Sequence, residues 1–135
     1  MQNNSNHIPK NPSIFRGVFC LVLFFILQST FAQPQLKFED QKKNFGFVKK
    51  GEIVKINFYF TNKGNQPVLI TDVKAECSCT TVEFPKQPIA PGQSGKITVQ
   101  FNTKTVYDRQ DRIVEIISND RNSPQKLRFK GVVLK

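Results

Sequence analysis

Glu52-Ile53-Val54-Lys55-Ile56-Asn57-Phe58-Tyr59-Phe60-Thr61-Asn62 is the stretch that decides the fold class. Val54, Ile56, Phe58 and Phe60 fall on one side of an extended chain, and Lys55, Asn57, Tyr59 and Thr61 on the other. A period of two sustained over four repeats is the pattern of a strand with one dry face and one wet face. Asn62-Lys63-Gly64-Asn65 follows as a tight turn in which Gly64 can take positive φ at no steric cost.

Outward from this strand the same signature recurs. On the N-terminal side, Leu36-Lys37-Phe38-Glu39 reads as a short strand and Gln41-Lys42-Lys43-Asn44 as a polar break. Phe45-Gly46-Phe47-Val48 resumes the pattern, with Gly46 marking a bulge or a close backbone approach. Lys49-Lys50-Gly51 turns the chain. On the C-terminal side, Pro67 to Ala75 is a strand whose apolar phase slips at Thr71-Asp72, which predicts a bulge. Thr80 to Phe84 is short and β-branched, and Pro85, Pro88 and Pro91 then exclude both a central strand and a helix. Ile89 to Gly95 reads as a turn with Ile89 as its apolar anchor.

Lys96 to Asn102 alternates with Ile97, Val99 and Phe101 inward. Thr103 to Arg112 reads as polar, with a corner at Tyr107 and Asp108. Ile113 to Ser118 has the two-sided apolar character of a central strand, and Asn119 to Pro124 is a loop. Gln125 to Leu134 is the last strand, with Leu127, Phe129 and Val133 on one face and Lys126, Arg128 and Lys130 on the other. About seven strands with turn signals every 8–12 residues or so predict an all-β, immunoglobulin-like antiparallel β-sandwich. Its inner faces would hold Val54, Ile56, Phe58, Phe60, Ile70, Val73, Ile97, Val99, Phe101, Val114, Ile116, Leu127 and Phe129.

The N-terminus has a different logic. Lys10 and Arg16 precede an apolar run, Gly17 to Leu27, that has signal-peptide length and is too short for a membrane span. Thr30 and Ala32 are small residues at the −3 and −1 positions, predicting cleavage between Ala32 and Gln33. The domain organisation is therefore a signal-peptide helix over 1–32 and a β-sandwich over 33–135, with an uncleaved anchor as the rival reading. Cys20 lies inside the apolar run, not at its end, which argues against lipidation. A mature chain from Gln33 has 103 residues, a net charge of +8, and no transmembrane segment.

The mature residues contain no histidine, tryptophan or methionine. That removes His-dependent nucleophilic catalysis, the usual general base and most zinc and copper sites. There is also no Gly-rich phosphate loop and no paired-carboxylate spacing, so neither an enzyme nor a bound cofactor is expected. The positive charge points away from nucleic acid in an exported protein. It leaves two readings: lysines that solvate outward faces, or a Lys126/Arg128/Lys130 face that contacts anionic glycan or lipid.

Cys77 and Cys79 are the one chemical exception. On an extended strand their Cα atoms would lie roughly 6.5–7 Å apart, whereas a disulfide needs roughly 4.4–6.8 Å. Three readings stay open. The pair ends a strand as small buried residues or a structural disulfide, or it is an exchangeable disulfide with a redox role. The third is a two-thiolate site for a soft metal such as Cu(I), completed by a second molecule.

Several features occur in order: Phe45-Gly46-x-Val48, a Gly51-led strand ending Phe60-Thr61-Asn62-x-Gly64, and Pro67-Val68-Leu69-Ile70 with Val73. Then come Cys77-x-Cys79-Thr80, Ile89-Ala90-Pro91-Gly92-x-Ser94-Gly95, and a last strand closing on Gly131. From about Phe38 to Leu134 the chain resembles the bacterial domain of unknown function 1573 family, small envelope proteins of Bacteroidetes-type bacteria. More distantly it is similar to the ASPM/SPD-2/hydin and major sperm protein domains. The resemblance implies a seven-stranded sandwich exported to the periplasm or cell surface of a Gram-negative bacterium, and no enzyme activity. Ser78 stands where that family often has Gly, which makes a sharply turned Cys-x-Cys less easy. The expected role is a non-enzymatic module that binds another envelope protein, with strand addition at a sheet edge as its mode. The alternative is a thiol-redox or soft-metal protein acting through Cys77 and Cys79.

Overall fold

In the computed structural model, which describes residues 32–135, eight strands form two four-stranded sheets. In chain order they are β1 (Leu36–Phe38), β2 (Lys42–Lys49), β3 (Ile53–Asn62), β4 (Ile70–Ala75), β5 (Thr80–Glu83), β6 (Ser94–Asn102), β7 (Asp108–Ser118) and β8 (Gln125–Leu134). One sheet has the order β1-β3-β6-β5 and the other β2-β8-β7-β4. The expected immunoglobulin-like sandwich is what the chain forms. Its pairings are antiparallel except one, β2 with β8, which is parallel. The expected signal segment and its helix lie outside the described residues.

The alternation in β3 does what its period demands: Ile56, Phe58 and Phe60 are buried, and Ile97, Val99 and Phe101 face them on β6. The other sheet contributes Val114, Ile116, Leu127, Phe129 and Val133. Phe45, Phe101 and Phe129 form a ring cluster between the sheets with centroids 5.4–6.4 Å apart, the tilted spacing that aromatic quadrupoles favour. Val54 and Val73, expected inside, are half-buried and packed against this core. Leu36, Phe38 and Val68, absent from the expected core, are buried in it. They lie in segments too short for a periodicity to show.

Three local expectations are corrected. Lys42-Lys43-Asn44 is not a break; it begins β2 and pairs with Arg128 to Lys130. The bulge between Asn44 and Gly46, where Gly46 has φ 75°, breaks the alternation that would have marked the strand. Asp108–Arg112 is likewise strand, the start of β7. Its side chains are polar because Arg109 and Asp111 face outward, while the buried Gln110 donates to the Tyr107 carbonyl at 2.8 Å. The corner at Tyr107-Asp108 is present, with Asp108 at φ 67°. Gly64 does not have positive φ; it is needed because a Cβ there would meet the backbone of Gln33 to Gln35. Gly131 has a matching role inside β8, since a Cβ would run into the Phe45 ring.

Asn62, the last residue of β3, continues its inward set and is fully buried. Its Nδ2 donates to the Gln66 carbonyl at 2.7 Å and the Ile89 carbonyl at 2.9 Å. Its Oδ1 accepts from the Gly64 and Gln35 amides at 2.9 and 3.4 Å. Nearby, Asp120 Oδ2 accepts from the Leu36 amide at 2.7 Å and from Gln125 Nε2 at 2.8 Å. A buried amide or carboxylate is tolerable only when bonded in this way.

Asn62→Leu is expected to lower stability by about 2–4 kcal/mol, since it orphans the Gln66 carbonyl and the Gly64 and Gln35 amides. Gly131→Ala is expected to cost about 1–3 kcal/mol through overpacking against Phe45. Urea melts of both variants beside the surface change Lys96→Ala, expected within about 0.5 kcal/mol of the parent, check these values.

Candidate functional site

The strand registers place four segments at one pole of the sandwich. These are the β2–β3 turn at Lys49 to Glu52, the β4–β5 turn at Glu76 to Cys79, the β6–β7 connection at Thr103 to Tyr107, and the end of β8. Thr103 holds the first and third together. Its buried Oγ1 accepts from the Gly51 amide at 3.0 Å and donates to the Glu52 carbonyl at 2.7 Å, and its own amide donates to Glu52 at 3.0 Å. Gly51 has φ 97°, a conformation that the turn requires and that only glycine takes without strain.

Cys77 and Cys79 meet at this pole as a disulfide. The separation expected for an extended strand does not apply, because β4 ends at Ala75 and the cysteines sit in a turn, with Cα atoms 5.2 Å apart. Ser78 makes the turn without left-handed backbone; among the described residues Asp108 is the only non-glycine with positive φ. The turn carries the chain from one sheet's edge, β4, to the other's, β5. Backbone bonds hold it on both sides: the Thr80 amide donates to the Cys77 carbonyl at 3.2 Å, and the Asn102 amide to the Cys79 carbonyl at 2.8 Å. The Thr80 hydroxyl lies 3.4 Å from Cys77 Sγ and 3.9 Å from Cys79 Sγ. Cys79, Ser78, Asn102, Lys104 and Thr105 line a recess of about 210 Å³. Both cysteines are half-exposed. No third histidine, cysteine or carboxylate joins them in a metal-sized cluster among the described residues.

Exposed apolar side chains stand on the outer faces near this pole, Phe47 and Leu134 on the β2-β8-β7-β4 sheet and Ile53 on the other. Phe47 is 75% exposed, Ile53 58%, Tyr107 55% and Leu134 44%. Phe47 lies beside Val132 in the β2–β8 register, and Lys49 beside Leu134. Lys50 and Lys135 reach over the Tyr107 ring, at 5.9 and 5.2 Å from its centroid. Sequence reading missed this cluster because its members come from four separate segments.

Lys126, Arg128 and Lys130 share the outer face of β8, as their spacing requires, but β7 interleaves carboxylates. Lys126 Nζ is 3.4 Å from Glu115, and Arg128 is paired in a fork with Asp111. The hydrogen bond from Arg128 holds the Asp111 carboxyl below the ordinary carboxylate range, and Asp111 in turn raises Arg128. Lys130 stands opposite Asp111 across the ladder, and Lys42 on β2 adjoins Arg128. The face is thus a mixed-charge lattice and not a uniformly cationic strip. Ala32 and Gln33 begin the described chain, and the Gln33 amide donates to Asn65 Oδ1 at 2.7 Å.

Both edge strands of the β2-β8-β7-β4 sheet carry bulges with an amide capped by a side chain. The Gly46 amide on β2 donates to Asn44 Oδ1 at 2.9 Å, and the Val73 amide on β4 donates to Asp72 Oδ1 at 2.8 Å. Such devices oppose strand addition.

A disulfide that closes a three-residue loop contributes only about 1.5 kcal/mol through chain entropy. The double variant Cys77→Ser/Cys79→Ser is therefore expected to stay folded, with a chemical-denaturation midpoint lowered by no more than that energy; loss of the folded baseline in far-ultraviolet circular dichroism would contradict it.

Comparison with known proteins gives a fold and a family. A crystal structure of a protein of unknown function from Porphyromonas gingivalis W83 matches with TM-score 0.67 at 20% identity, over 78% of this chain and 50% of that one. The chain thus spans half the length of that relative. The ASH/PapD-like domain 7 of human CEP192 matches with TM-score 0.63 at 8% identity, over 100% of this chain and 99% of that one. The VesB protease of Vibrio cholerae matches with TM-score 0.54 at 17% identity, but over only 35% of its length. At these identities the likeness is one of fold. No curated protein matches. The model of the family described as "Protein of unknown function (DUF1573)" matches residues 36–133, and the chain belongs to that family.

Proposed function

We propose that the protein is an exported, non-enzymatic immunoglobulin-like module of the periplasm or cell surface, and that it binds another envelope protein. The observation that carries this reading is the exposure of Phe47, Tyr107 and Leu134, which the β2–β8 and β7–β8 registers bring to neighbouring positions at one end of the sandwich. Scattered exposed apolar residues are ordinary, whereas a gathered set marks a contact surface. Lys49, Lys50 and Lys135 stand beside it, so a complementary partner presents an apolar centre with an acidic rim. Among the described residues no helix is long and apolar enough to cross a membrane. The capped edges argue for contact through the pole in place of strand addition. Anionic glycan or lipid contact through Lys126, Arg128 and Lys130 is the lesser reading, because two of those cations are already ion-paired.

A photo-crosslinking residue placed at Phe47 or Leu134 is expected to trap a defined envelope protein in cells. The same residue at Leu69, which lies at the far pole, is expected to trap none. Equal labelling from all three positions would remove the pole from consideration. Replacing Lys49, Lys50 and Lys135 together by Glu should weaken the trapped complex, and its formation should slow as ionic strength rises from about 0.01 to 0.15 M, over which the screening length falls from ~30 to ~8 Å.

A further inference from the structure

We infer that the Cys77–Cys79 bridge accepts electrons from a thiol pair on the protein that docks at this pole, with Cys79 as the sulfur attacked and Cys77 as the sulfur released. The inference rests on the docking pole proposed above and assigns it a chemistry. Three observations carry it. The bridge spans one intervening residue in a turn already fixed by two backbone hydrogen bonds, so a structural need for it is slight. It is half-buried at the β4–β5 turn, with Cys79 bordering a recess open to solvent. Finally, its two sulfurs have different surroundings.

Cys79 borders the open recess that Lys104 also lines, so an incoming thiolate meets a cation on its way to Cys79 Sγ. Cys77 does not line that recess; its sulfur has the Thr80 hydroxyl 3.4 Å away. A bridged sulfur carries no hydrogen, so Thr80 is the donor in this contact, and it is placed to stabilise negative charge as it develops on the departing sulfur. The exchange balances as follows. A partner thiolate attacks Cys79 Sγ, a new sulfur–sulfur bond forms, and the Cys77–Cys79 bond breaks with its electron pair on Cys77 Sγ. The Cys77 thiolate takes its proton from solvent. The partner's second thiolate then attacks the partner sulfur of the mixed disulfide and releases Cys79 as a thiolate. Two electrons have moved: the partner gains a disulfide and this chain becomes a dithiol.

Reduced glutathione is the probe for the first step. The purified oxidised protein is mixed with it, quenched in acid at intervals, and mapped by peptide mass. The expected result is a glutathione adduct found mainly on Cys79, formed without denaturant. Lys104→Ala should slow the reaction several-fold at low salt and far less at high salt, and Lys104→Arg should restore it, a pattern that a purely structural lysine would not give. No adduct under native conditions, an adduct mainly on Cys77, or an unchanged rate in Lys104→Ala would each overturn the assignment.

In cells, Cys77→Ser is expected to retain its partner in a complex released by dithiothreitol, and Cys79→Ser to retain none. Phe47→Asp separates the two ideas. It should abolish partner capture while leaving glutathione exchange at the parental rate, so docking and exchange can fail independently.

Discussion

The side chain of Asn62 is the constraint on which the arrangement of the sandwich depends. A primary amide has two donors and two acceptor sites, and burial without partners would cost several kcal/mol. Here both ends are used. The amide nitrogen bridges the carbonyls of Gln66 and Ile89, and the oxygen collects the amides of Gly64 and Gln35. One residue thereby fixes the entry to β1, the turn after β3, and the Val68–Ile89 bridge. Asp120 and Gln125 extend the clasp to the second sheet through Leu36, whose amide and carbonyl they bind at 2.7 and 3.0 Å. The far pole is closed by polar groups that have no spare bonding capacity.

The opposite pole is built differently. Thr103 secures the backbone of the β2–β3 turn, but the surrounding side chains are left without covering partners. Phe47, Ile53, Tyr107 and Leu134 are out in solvent, and the disulfide sits among turns instead of between sheets. The edge strands β2 and β4, where their sheet would otherwise recruit a neighbour, are bent by bulges and capped by Asn44 and Asp72. One sheet's edges are thus blunted, while exposed apolar side chains stand near one end of the sandwich. This division of labour is the physical basis for reading the domain as a binding module.

Where a strand is long and one face is wet, its sequence is sufficient. β3, β6 and β8 were legible because burial on one face forces strict alternation, and the bulge at Thr71-Asp72 was legible because it visibly slips that phase. The parallel start of β2 was not legible. Lys42 and Asn44 face solvent at an edge, Lys43 is half-covered and paired with Asp40 at 2.9 Å, and the bulge then inverts the phase. The polar beginning of β7 was hidden for a similar reason. Its ladder bonds are made by backbone, which carries no residue signature.

The sequence by itself determined the fold class, the face that each long strand buries, the family, and the two cysteines as the singular chemical feature. These follow from properties local to the chain: period, turn chemistry and residue inventory. Only the tertiary structure decided that the cysteines bridge, because a turn and not a strand brings their Cα atoms to 5.2 Å. It alone showed that Lys126 and Arg128 are matched by carboxylates from β7, since cross-strand register is set by hydrogen bonding between distant segments. It also placed Lys104 beside Cys79 and brought Phe47, Tyr107 and Leu134 to neighbouring positions at one end of β2 and β8. No pattern along the chain could have announced that grouping, because these residues become neighbours only when two sheets close over a shared core.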